Sequence, residues 1–317
     1  MTNRGIVALA GGVGGAKLAL GLAAVLPADA LTVAVNTADD FEHWGLYICP
    51  DLDMVTYTLA GLANPETGWG LRDETWNVMD AIGKMGGETW FRLGDKDLAT
   101  HIERTRRLRS GEKLSAVIAD LARRLSAKPA IVPMSDDPVR TMVTTTDRGE
   151  LAFQDWFVRL HCEPVVRSVR FAGVEKAQPN AALRSFDGAR GVVVCPSNPF
   201  VSVAPILALP GVRTALEQAR VPRVAVTPIV GGQAIKGPAA KMLAELGHDV
   251  SALGVARFYK GLIDGFVLDR QDAGLALQIE ALGMRVRIAD TMMRDDADKR
   301  RLAATTLEFV DEIGVHS

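Results

Sequence analysis

The sequence predicts an α/β fold with an open, mostly parallel, doubly wound sheet and a smaller inserted helical and hairpin region. Three observations lead to this prediction. Short β-branched segments alternate with helical periods along the 317 residues, a glycine motif follows the first strand, and polar segments follow several later strands. Because strands that alternate with helices form βαβ units, we expect parallel strands that are buried on both faces.

The predicted elements follow one another without an internal repeat. Apolar segments predict strands at residues 6–10, 31–35, 130–132, 192–195, 224–227, 265–268 and 286–289. Helical periods fall between several of them, at residues 16–26, 238–246 and 273–282. Residues 141–146 and 151–153 flank an Asp-Arg-Gly turn sequence, which predicts a hairpin.

These elements indicate a single domain over residues 1–317, because composition shows no boundary. We expect a Rossmann-like core from residues 1–65 and 185–317. The polar helical and hairpin segments at residues 66–184 are expected to form an elaboration of that core.

The composition argues against two classes of partner. Lysine and arginine number 36 against 38 aspartates and glutamates, a net charge of −2, so the chain lacks the basic excess of broad nucleic-acid binding. No apolar segment reaches the roughly 18 uncharged residues of a membrane span. We therefore expect neither nucleic acid nor membrane as a partner.

The chain is expected to be cytoplasmic. Glycines at residues 11–15 and the charge of Lys17 interrupt the N-terminal apolar segment, unlike in a signal peptide. The three cysteines, Cys49, Cys162 and Cys195, form neither a CxxC pair nor a disulfide framework. This cysteine usage is typical of a reducing compartment.

The glycine motif at residues 11–15 lies between the first strand and the first helix. Glycine lets the backbone approach a phosphate closely, and a helix N-terminus offers free N–H groups. We therefore expect Gly12, Gly14 and Lys17 to bind a phosphate or diphosphate. The motif matches neither the dinucleotide fingerprint nor the phosphate loop, and a tight turn without a ligand is the alternative.

An acidic cluster follows the second strand. Asp39, Asp40, Glu42, Asp51 and Asp53 lie within fifteen residues, at the carboxyl end of a parallel strand, where open sheets bind ligands. Such oxygen ligands are typical of Mg²⁺ that also contacts substrate phosphates. Asp40 and Asp51 are the best candidate metal ligands, and the structural alternative has Asp53 capping the next helix.

Other polar residues are predicted at the same edge of the sheet. Asn36 stands where a nicotinamide-binding protein carries an acid for the ribose, which disfavours a dehydrogenase but permits sugar or phosphate binding. Ser197 and Asn198 lie between two prolines after an apolar strand and are expected to bind a base or sugar. Arg92 can pair with a carboxylate, a phosphate or a planar ring, whereas His101 is expected to be structural.

Read in order from residue 5 to about 290, these motifs resemble the 2-phospho-L-lactate transferase family. The resemblance rests on eight segments of the sequence, which are residues 11–15, 36–40, 50–53, 93–97, 134–138, 153–155, 196–199 and 230–232. No single one of these motifs is specific, but their order along the chain is.

The resemblance implies transfer of 2-phospho-L-lactate or phosphoenolpyruvate from a guanylylated diphosphate to the terminal ribityl hydroxyl of the deazaflavin Fo. GMP would be released, in coenzyme F420 biosynthesis, with Mg²⁺ as cofactor and a homodimer as the assembly. The family places Asp53 and Arg92 at Fo. Phosphoryl-type transfer needs positioning and charge neutralisation more than a covalent nucleophile.

Roles can also be predicted for the other candidate site residues. Asp53 and Asp40 are the acids expected to act at the reacting hydroxyl. The donor phosphates and guanosine are assigned to six residues, namely Gly12, Gly14, Lys17, Asn36, Ser197 and Asn198. Which phospho-acid is transferred is not indicated by any motif.

Three other classes of protein are alternatives to a transferase. A nicotinamide oxidoreductase is disfavoured by Lys17 and Asn36. A non-enzymatic nucleotide-sugar-binding regulator of the gluconeogenesis-factor type is similar at the glycine and Ser-Asn-Pro motifs, but is expected to lack the combination of Asp51, Asp53 and Arg92. A purely structural protein does not account for so many polar loops at one sheet edge.

Overall fold

A computed structural model of the protein describes residues 5–315, and residues 1–4, 316 and 317 of the predicted domain lie outside this range. The strands, in chain order, are β1 (Ile6–Ala10), β2 (Leu31–Val35), β3 (Phe41–His43), β4 (Leu46–Ile48), β5 (Ala130–Pro133), β6 (Arg140–Thr145), β7 (Glu150–Ala152), β8 (Val166–Ala172), β9 (Gly191–Val194), β10 (Arg223–Val226), β11 (Ile229–Val230), β12 (Gln233–Ala234), β13 (Gly265–Asp269) and β14 (Arg285–Ala289).

The α-helices of the described residues begin with α1 (Gly12–Val25), which follows the first strand. The others are α2 (Pro50–Leu59), α3 (Asn77–Lys84), α4 (Asp95–Arg109), α5 (Leu114–Arg124), α6 (Ala204–Ala208), α7 (Val212–Glu217), α8 (Ala239–Glu245), α9 (Ala252–Phe258), α10 (Ala276–Glu280) and α11 (Asp296–Gly314). Within residues 5–315, none of these helices combines the length and the hydropathy that a membrane span requires.

The main sheet confirms the predicted α/β fold. Across the described residues it contains seven strands in the order β14-β13-β10-β9-β1-β2-β5, and every neighbouring pair is parallel. The chain runs outward from β1 through β2 to β5 and then crosses to β9 on the other side of β1. The strand order therefore reverses between β1 and β9, the point at which doubly wound sheets bind ligands.

Alternate residues of the strands supply two cores, one on each face of the sheet. Ile6, Ala8 and Ala10 of β1 pack in the layer that contains α1, α2, α5 and α11. Leu9 of the same strand packs in the opposite layer, with β6, β8 and helices α6 to α9. Since both faces are covered, the strands are apolar throughout, as the sequence predicts.

The inserted region contains the predicted hairpin and one strand of the main sheet. Strands β6 and β7 pair antiparallel, which confirms the hairpin, and β8 completes a small three-stranded sheet. Strand β5, which lies within residues 66–184, pairs with β2 at the edge of the main sheet. Helices α3 and α4 pack with the β3–β4 hairpin around a third apolar cluster.

Two predicted helices differ from the structure. Helix α1 begins at Gly12 rather than at residue 16, so most of the glycine motif forms its first turn. The helix predicted at 273–282 is instead a 3₁₀ segment, Arg270–Leu275, followed by the short helix α10. In the first case glycine, which disfavours helices by propensity, is accepted because the helix end packs closely against another loop.

Candidate active site

A cleft of about 660 Å³ opens at the carboxyl ends of β1, β2 and β9. One wall is formed by the first turn of α1 and the loop after β9. Other lining residues come from the segment between α3 and α4 and from the segment after β7. The predicted site residues that line the cleft are Gly12, Gly14, Asp51, Asp53, Arg92, Ser197 and Asn198.

The first turn of α1 lies against the loop after β9 more closely than any side chain permits. A Cβ atom on Gly14 would lie 2.1 Å from the carbonyl oxygen of Pro196, and one on Gly15 would lie 2.6 Å from Ser197 Oγ. Glycine is therefore required at these positions by packing within the protein. The same packing turns the helix N-terminus, with its free N–H groups and positive potential, toward the cleft.

Asn36 connects the acidic residues after β2. Its buried side-chain amide lies 3.0 Å from Asp39 Oδ2, 3.0 Å from Asp51 Oδ2 and 3.1 Å from the carbonyl oxygen of Val201. Three acceptors thus share two N–H hydrogens, and the second oxygen of Asp51 accepts from the Gly12 backbone N–H at 2.8 Å. Asn36 holds the carboxylates together and does not itself line the cleft.

The pKa values of Asp39 and Asp51 are affected by burial of both carboxyls and, for Asp39, by the nearby Asp51. Burial, and then the neighbouring Asp51, raise the pKa of Asp39 well above its ordinary value. Burial also raises the pKa of Asp51, against hydrogen bonds from Asn36 and Gly12 that lower it. Within residues 5–315, Asp39 Oδ1 is buried without a hydrogen bond of normal geometry. A cation beside Asp39 and Asp51 would relieve both effects.

Asp40 lies one residue further and behind the cleft. Its side chain is 2% exposed, and neither carboxylate oxygen makes a hydrogen bond of normal geometry within the described residues. Burial raises the pKa of Asp40 to about 8, although Arg140, Cys49 and Arg104 oppose the shift. The two candidate metal ligands predicted from sequence are therefore placed differently, since only Asp51 lines the cleft.

Asp53 lines the cleft from the first turn of α2 and is paired with Arg104 of α4. Arg104 Nη1 lies 2.6 Å from Asp53 Oδ1, and Nη2 lies 3.0 Å from Oδ2. Arg104 is fully buried. The sequence did not predict a role for this arginine. The spacing of Asp97, His101 and Arg104 could have indicated one, because it places the three residues on one face of a helix.

Part of the cleft lining is aromatic and includes Trp69, Trp90, Phe91 and Phe157. Beside it, the Arg92 guanidinium lies 4.1 Å from the centre of the Trp76 ring. Such a wall can stack a flat heteroaromatic ring, and an exposed guanidinium beside it can add hydrogen bonds or charge. Polar and aromatic residues therefore line the same cleft.

The remaining predicted residues make contacts within the protein. Lys17 is not among the residues that line the cleft, and its Nζ donates to the Met293 carbonyl oxygen at 3.0 Å. Burial, with Lys236 and Lys299 nearby, lowers the pKa of Lys17. A different lysine, Lys236, lines the cleft. Asn198 Oδ1 accepts from the Phe200 backbone N–H at 2.9 Å.

Residues 6–307 match the model of a protein family described as 2-phospho-L-lactate transferase CofD. A phosphoenolpyruvate transferase of Streptomyces griseus subsp. griseus is 43% identical over 314 residues, which cover 97% of this chain and 99% of that protein. A 2-phospho-L-lactate transferase of Methanosarcina acetivorans is 38% identical over 309 residues, covering 97% of this chain and 100% of that one.

A solved structure extends the comparison to the fold. A UPF0052 family protein from Bacillus halodurans superposes with a TM-score of 0.63 at 14% identity, over 97% of this chain and 99% of the other. At that identity the likeness concerns the fold alone. The match to the family model spans nearly the whole chain, and with it the identity to the two transferases shows that the chain belongs to the 2-phospho-L-lactate transferase CofD family.

Proposed function

We propose that this transferase moves a phospho-acid, 2-phospho-L-lactate or phosphoenolpyruvate, from a guanylylated diphosphate donor to the terminal ribityl hydroxyl of the deazaflavin Fo, releasing GMP. One observation carries the proposal: the first turn of α1, the carboxylates of Asp51 and Asp53, and the aromatic wall with Arg92 all face the same cleft. An anionic diphosphate suits the helix end. A flat deazaflavin suits the aromatic side.

The residues divide between the two substrates. The donor diphosphate would lie at Gly12 and Gly14, with the Ser197-Asn198 loop beside it. Fo would lie along the aromatic part of the lining, with Arg92 at the ring system and Asp53 near the ribityl tail. Lys236, which lines the cleft close to Gly68, takes the place that the sequence analysis assigned to Lys17 as the phosphate-side cation.

The acidic cluster fits a divalent cation. Asp39 and Asp51 both line the cleft, their pKa values are raised by burial, and Asp39 Oδ1 has no hydrogen bond of normal geometry in residues 5–315. These two carboxylates would hold Mg²⁺. When bound, Mg²⁺ would neutralise charge on the donor diphosphate and the departing GMP. Asp40, the other predicted ligand, is tested separately because it lies behind the cleft.

The reaction joins the ribityl oxygen to the phosphorus that bears the organic acid and breaks that phosphorus's bond to the oxygen of GMP, while the hydroxyl proton passes to the departing GMP phosphate or to solvent. Asp53 would accept the hydrogen bond of the ribityl hydroxyl and orient it for attack. The helix end would stabilise negative charge on the phosphates. A cleft that holds both substrates supplies the remaining requirement, which is positioning.

Mass spectrometry of a reaction with Fo, Mg²⁺ and each guanylylated acid tests the proposal. We expect a product with the mass of Fo esterified by one phospho-acid, together with GMP. The acid that reacts also identifies the natural donor. Fluorescence titration with Fo provides a separate reading, and no detectable Fo binding in the presence of donor and Mg²⁺ would contradict the proposal.

Two further expectations belong with this proposal. We infer a homodimer and a cytoplasmic location from the resemblance to the family and from the cysteine usage. Light scattering of the purified protein measures the first, and fractionation of the native host measures the second.

A further inference from the structure

Helices α2 and α4 share a buried polar face that contributes Asp53, Tyr57, Asp97 and His101 to the lining of the cleft, with Arg104 behind them. Asp97, His101 and Arg104 occupy successive turns of α4, and Asp53 and Tyr57 occupy successive turns of α2. His101 is 1% exposed and Arg104 is 0% exposed. A fully buried guanidinium is costly to desolvate, and an apolar replacement of such a pair is often neutral or stabilising. Stability alone therefore does not account for this arrangement.

Each of the three nitrogens of the Arg104 guanidinium contacts at least one acceptor. Both nitrogens of its fork bind the two oxygens of Asp53. Its Nε and Nη2 donate to the Tyr47 carbonyl oxygen at 3.0 and 2.9 Å. Nη2 also lies 2.7 Å from His101 Nδ1. Such a fork holds a carboxylate in one plane and one rotamer, which a single-point contact with lysine does not.

The contact with Arg104 defines the tautomer of His101. Because arginine has only donors, Nδ1 of His101 accepts and the hydrogen resides on Nε2. That nitrogen lies 3.3 Å from Asp97 Oδ2, and the other Asp97 oxygen accepts from the Tyr57 hydroxyl at 2.6 Å. Burial raises the pKa of Asp97, but contacts with His101 and Tyr57 bring it below its ordinary value. Asp97, the last residue in this series of contacts, is therefore held in place as a carboxylate by His101 and Tyr57.

A metal site is the competing explanation for this cluster. Ligand atoms of Asp53, Asp97 and His101 all lie within 4.8 Å of one another. However, Arg104 already bonds both oxygens of Asp53 and Nδ1 of His101, so its guanidinium occupies the position of a cation. The geometry therefore favours positioning over metal binding at these three residues.

We propose that Arg104 is a positioning residue, itself fixed by His101, that orients Asp53 toward the acceptor substrate in the cleft. The inference rests on the proposed function, since it takes Asp53 to contact the ribityl hydroxyl. It predicts that the precise orientation of the Asp53 carboxylate, and not only its charge, sets the rate of transfer.

A double-mutant cycle tests this role. Arg104→Lys keeps the positive charge and removes the fork, and we expect kcat/KM for Fo to fall by up to about 100-fold, as misplacement near a reacting group does. The KM for the donor is expected to stay unchanged. In an Asp53→Asn background, Arg104→Lys is expected to cause no further loss, because Arg104 acts through Asp53.

Arg107→Lys is the matched control. Arg107 lies on the same helix and also binds two acids, Glu112 at 2.6 Å and Asp120 at 2.8 Å, but neither of these acids lines the cleft, whereas Asp53 does. We expect wild-type kinetics from this variant. Circular dichroism gives the folded fraction of each variant, and rates are expressed per folded protein.

The outcomes separate the inference from the proposed function. If the wild type is active and Arg104→Lys causes the same loss in the wild-type and Asp53→Asn backgrounds, the positioning role alone is overturned. It is also overturned if Arg104→Lys leaves the rate of transfer unchanged. A wild type without Fo transfer removes the proposed function and the inference together. If Arg104→Lys does not fold, His101→Phe is the deciding variant: it keeps both residues of the Asp53–Arg104 fork and removes the two nitrogens that contact Arg104 and Asp97, and wild-type kcat/KM for Fo would overturn the role.

Discussion

Ser197 and Gly11 exchange two hydrogen bonds across the point where the strand order of the sheet reverses. Ser197 Oγ accepts from the Gly11 backbone N–H at 3.2 Å and donates to the Gly11 carbonyl oxygen at 2.8 Å. The two residues lie at the ends of adjacent strands, β1 and β9. One side chain therefore fixes the position of the first turn of α1 relative to the loop that forms the same wall of the cleft.

The first prediction follows from this pair of bonds. Ser197→Ala removes both and leaves buried backbone groups with one partner fewer, so the free energy of unfolding should fall by about 1–3 kcal/mol. Ser110→Ala is the control, since that exposed hydroxyl donates only to the Arg107 carbonyl oxygen. Urea denaturation measures both variants, and equal stabilities would show that the Ser197 bonds contribute nothing special.

The second prediction concerns the contact of Gly14 with Pro196. Gly14→Ala places a methyl group where the Pro196 carbonyl oxygen lies, so the helix end must move, at a cost of about 1–3 kcal/mol. Calorimetry should also show weaker guanine-nucleotide binding, with Fo binding retained. Gly188→Ala is the control, because a Cβ there meets nothing within 4 Å. Unchanged nucleotide affinity in a folded Gly14→Ala protein would contradict the donor site at α1.

The third prediction separates a substrate contact from a structural one at Arg92. Its stacking on Trp76 is exposed, so Arg92→Ala should cost at most about 1 kcal/mol of stability. Fo affinity, followed by deazaflavin fluorescence, should fall clearly. Arg285→Ala serves as the control, since Arg285 lies 5.9 Å from the Phe309 ring and does not line the cleft. Equal Fo affinity in the Arg92 variant and wild type would refute the contact.

The fourth prediction concerns the cation. Asp51→Asn keeps the shape of the side chain and removes its charge, so the Mg²⁺ concentration for half-maximal transfer should rise at least about tenfold, equivalent to roughly 1.4 kcal/mol. Asp136 does not line the cleft and accepts hydrogen bonds from Ser115, so Asp136→Asn should leave the Mg²⁺ dependence unchanged. The steady-state rate measured against Mg²⁺ concentration provides the test, and superimposable curves for Asp51→Asn and wild type would exclude Asp51 as a ligand.

The fifth prediction concerns the buried acid Asp40, whose pKa is raised to about 8 from an ordinary 3.8. Between these values the folded protein retains a proton that the unfolded chain has released. The free energy of unfolding attributable to Asp40 therefore falls by about 1.4 kcal/mol for each pH unit of increase. This contribution is fully present below the lower value and is lost by pH 8.

Asp40→Asn removes this titration. Measured in a chelating buffer by urea denaturation, the stability of the variant relative to wild type should rise from about pH 4 to pH 8 and then level off. Parallel pH profiles for the two proteins would show that Asp40 does not titrate as its burial implies. The same variant, assayed with Mg²⁺, tests the predicted metal and catalytic roles of Asp40.

The sequence by itself determined the fold class, the family and the edge of the sheet that carries the site. Local patterns are sufficient for this, because apolar strands alternating with helices form a parallel sheet. Residues that follow such strands meet at one edge. Gly11, Asn36 and Cys195 directly follow β1, β2 and β9, and their segments do converge.

Only the tertiary structure decided which of these residues face the cleft. Asp40 and Asp51 look equivalent in sequence, yet one lies behind the cleft and the other lines it. The sequence predicts that the glycine motif binds a phosphate, yet Gly14 and Gly15 are required by packing against Pro196 and Ser197. Orientation of this kind depends on long-range contacts, which local spacing does not encode.

The pairing of Asp53 with Arg104 shows the physical reason most clearly. The two residues are separated by 51 positions and lie on different helices. Asp53 reads as a helix cap or a substrate contact, and Arg104 as one of several arginines on a polar helix. Their pairing arises because α2 and α4 bury complementary faces, and a buried charge must find its partner wherever the fold places one.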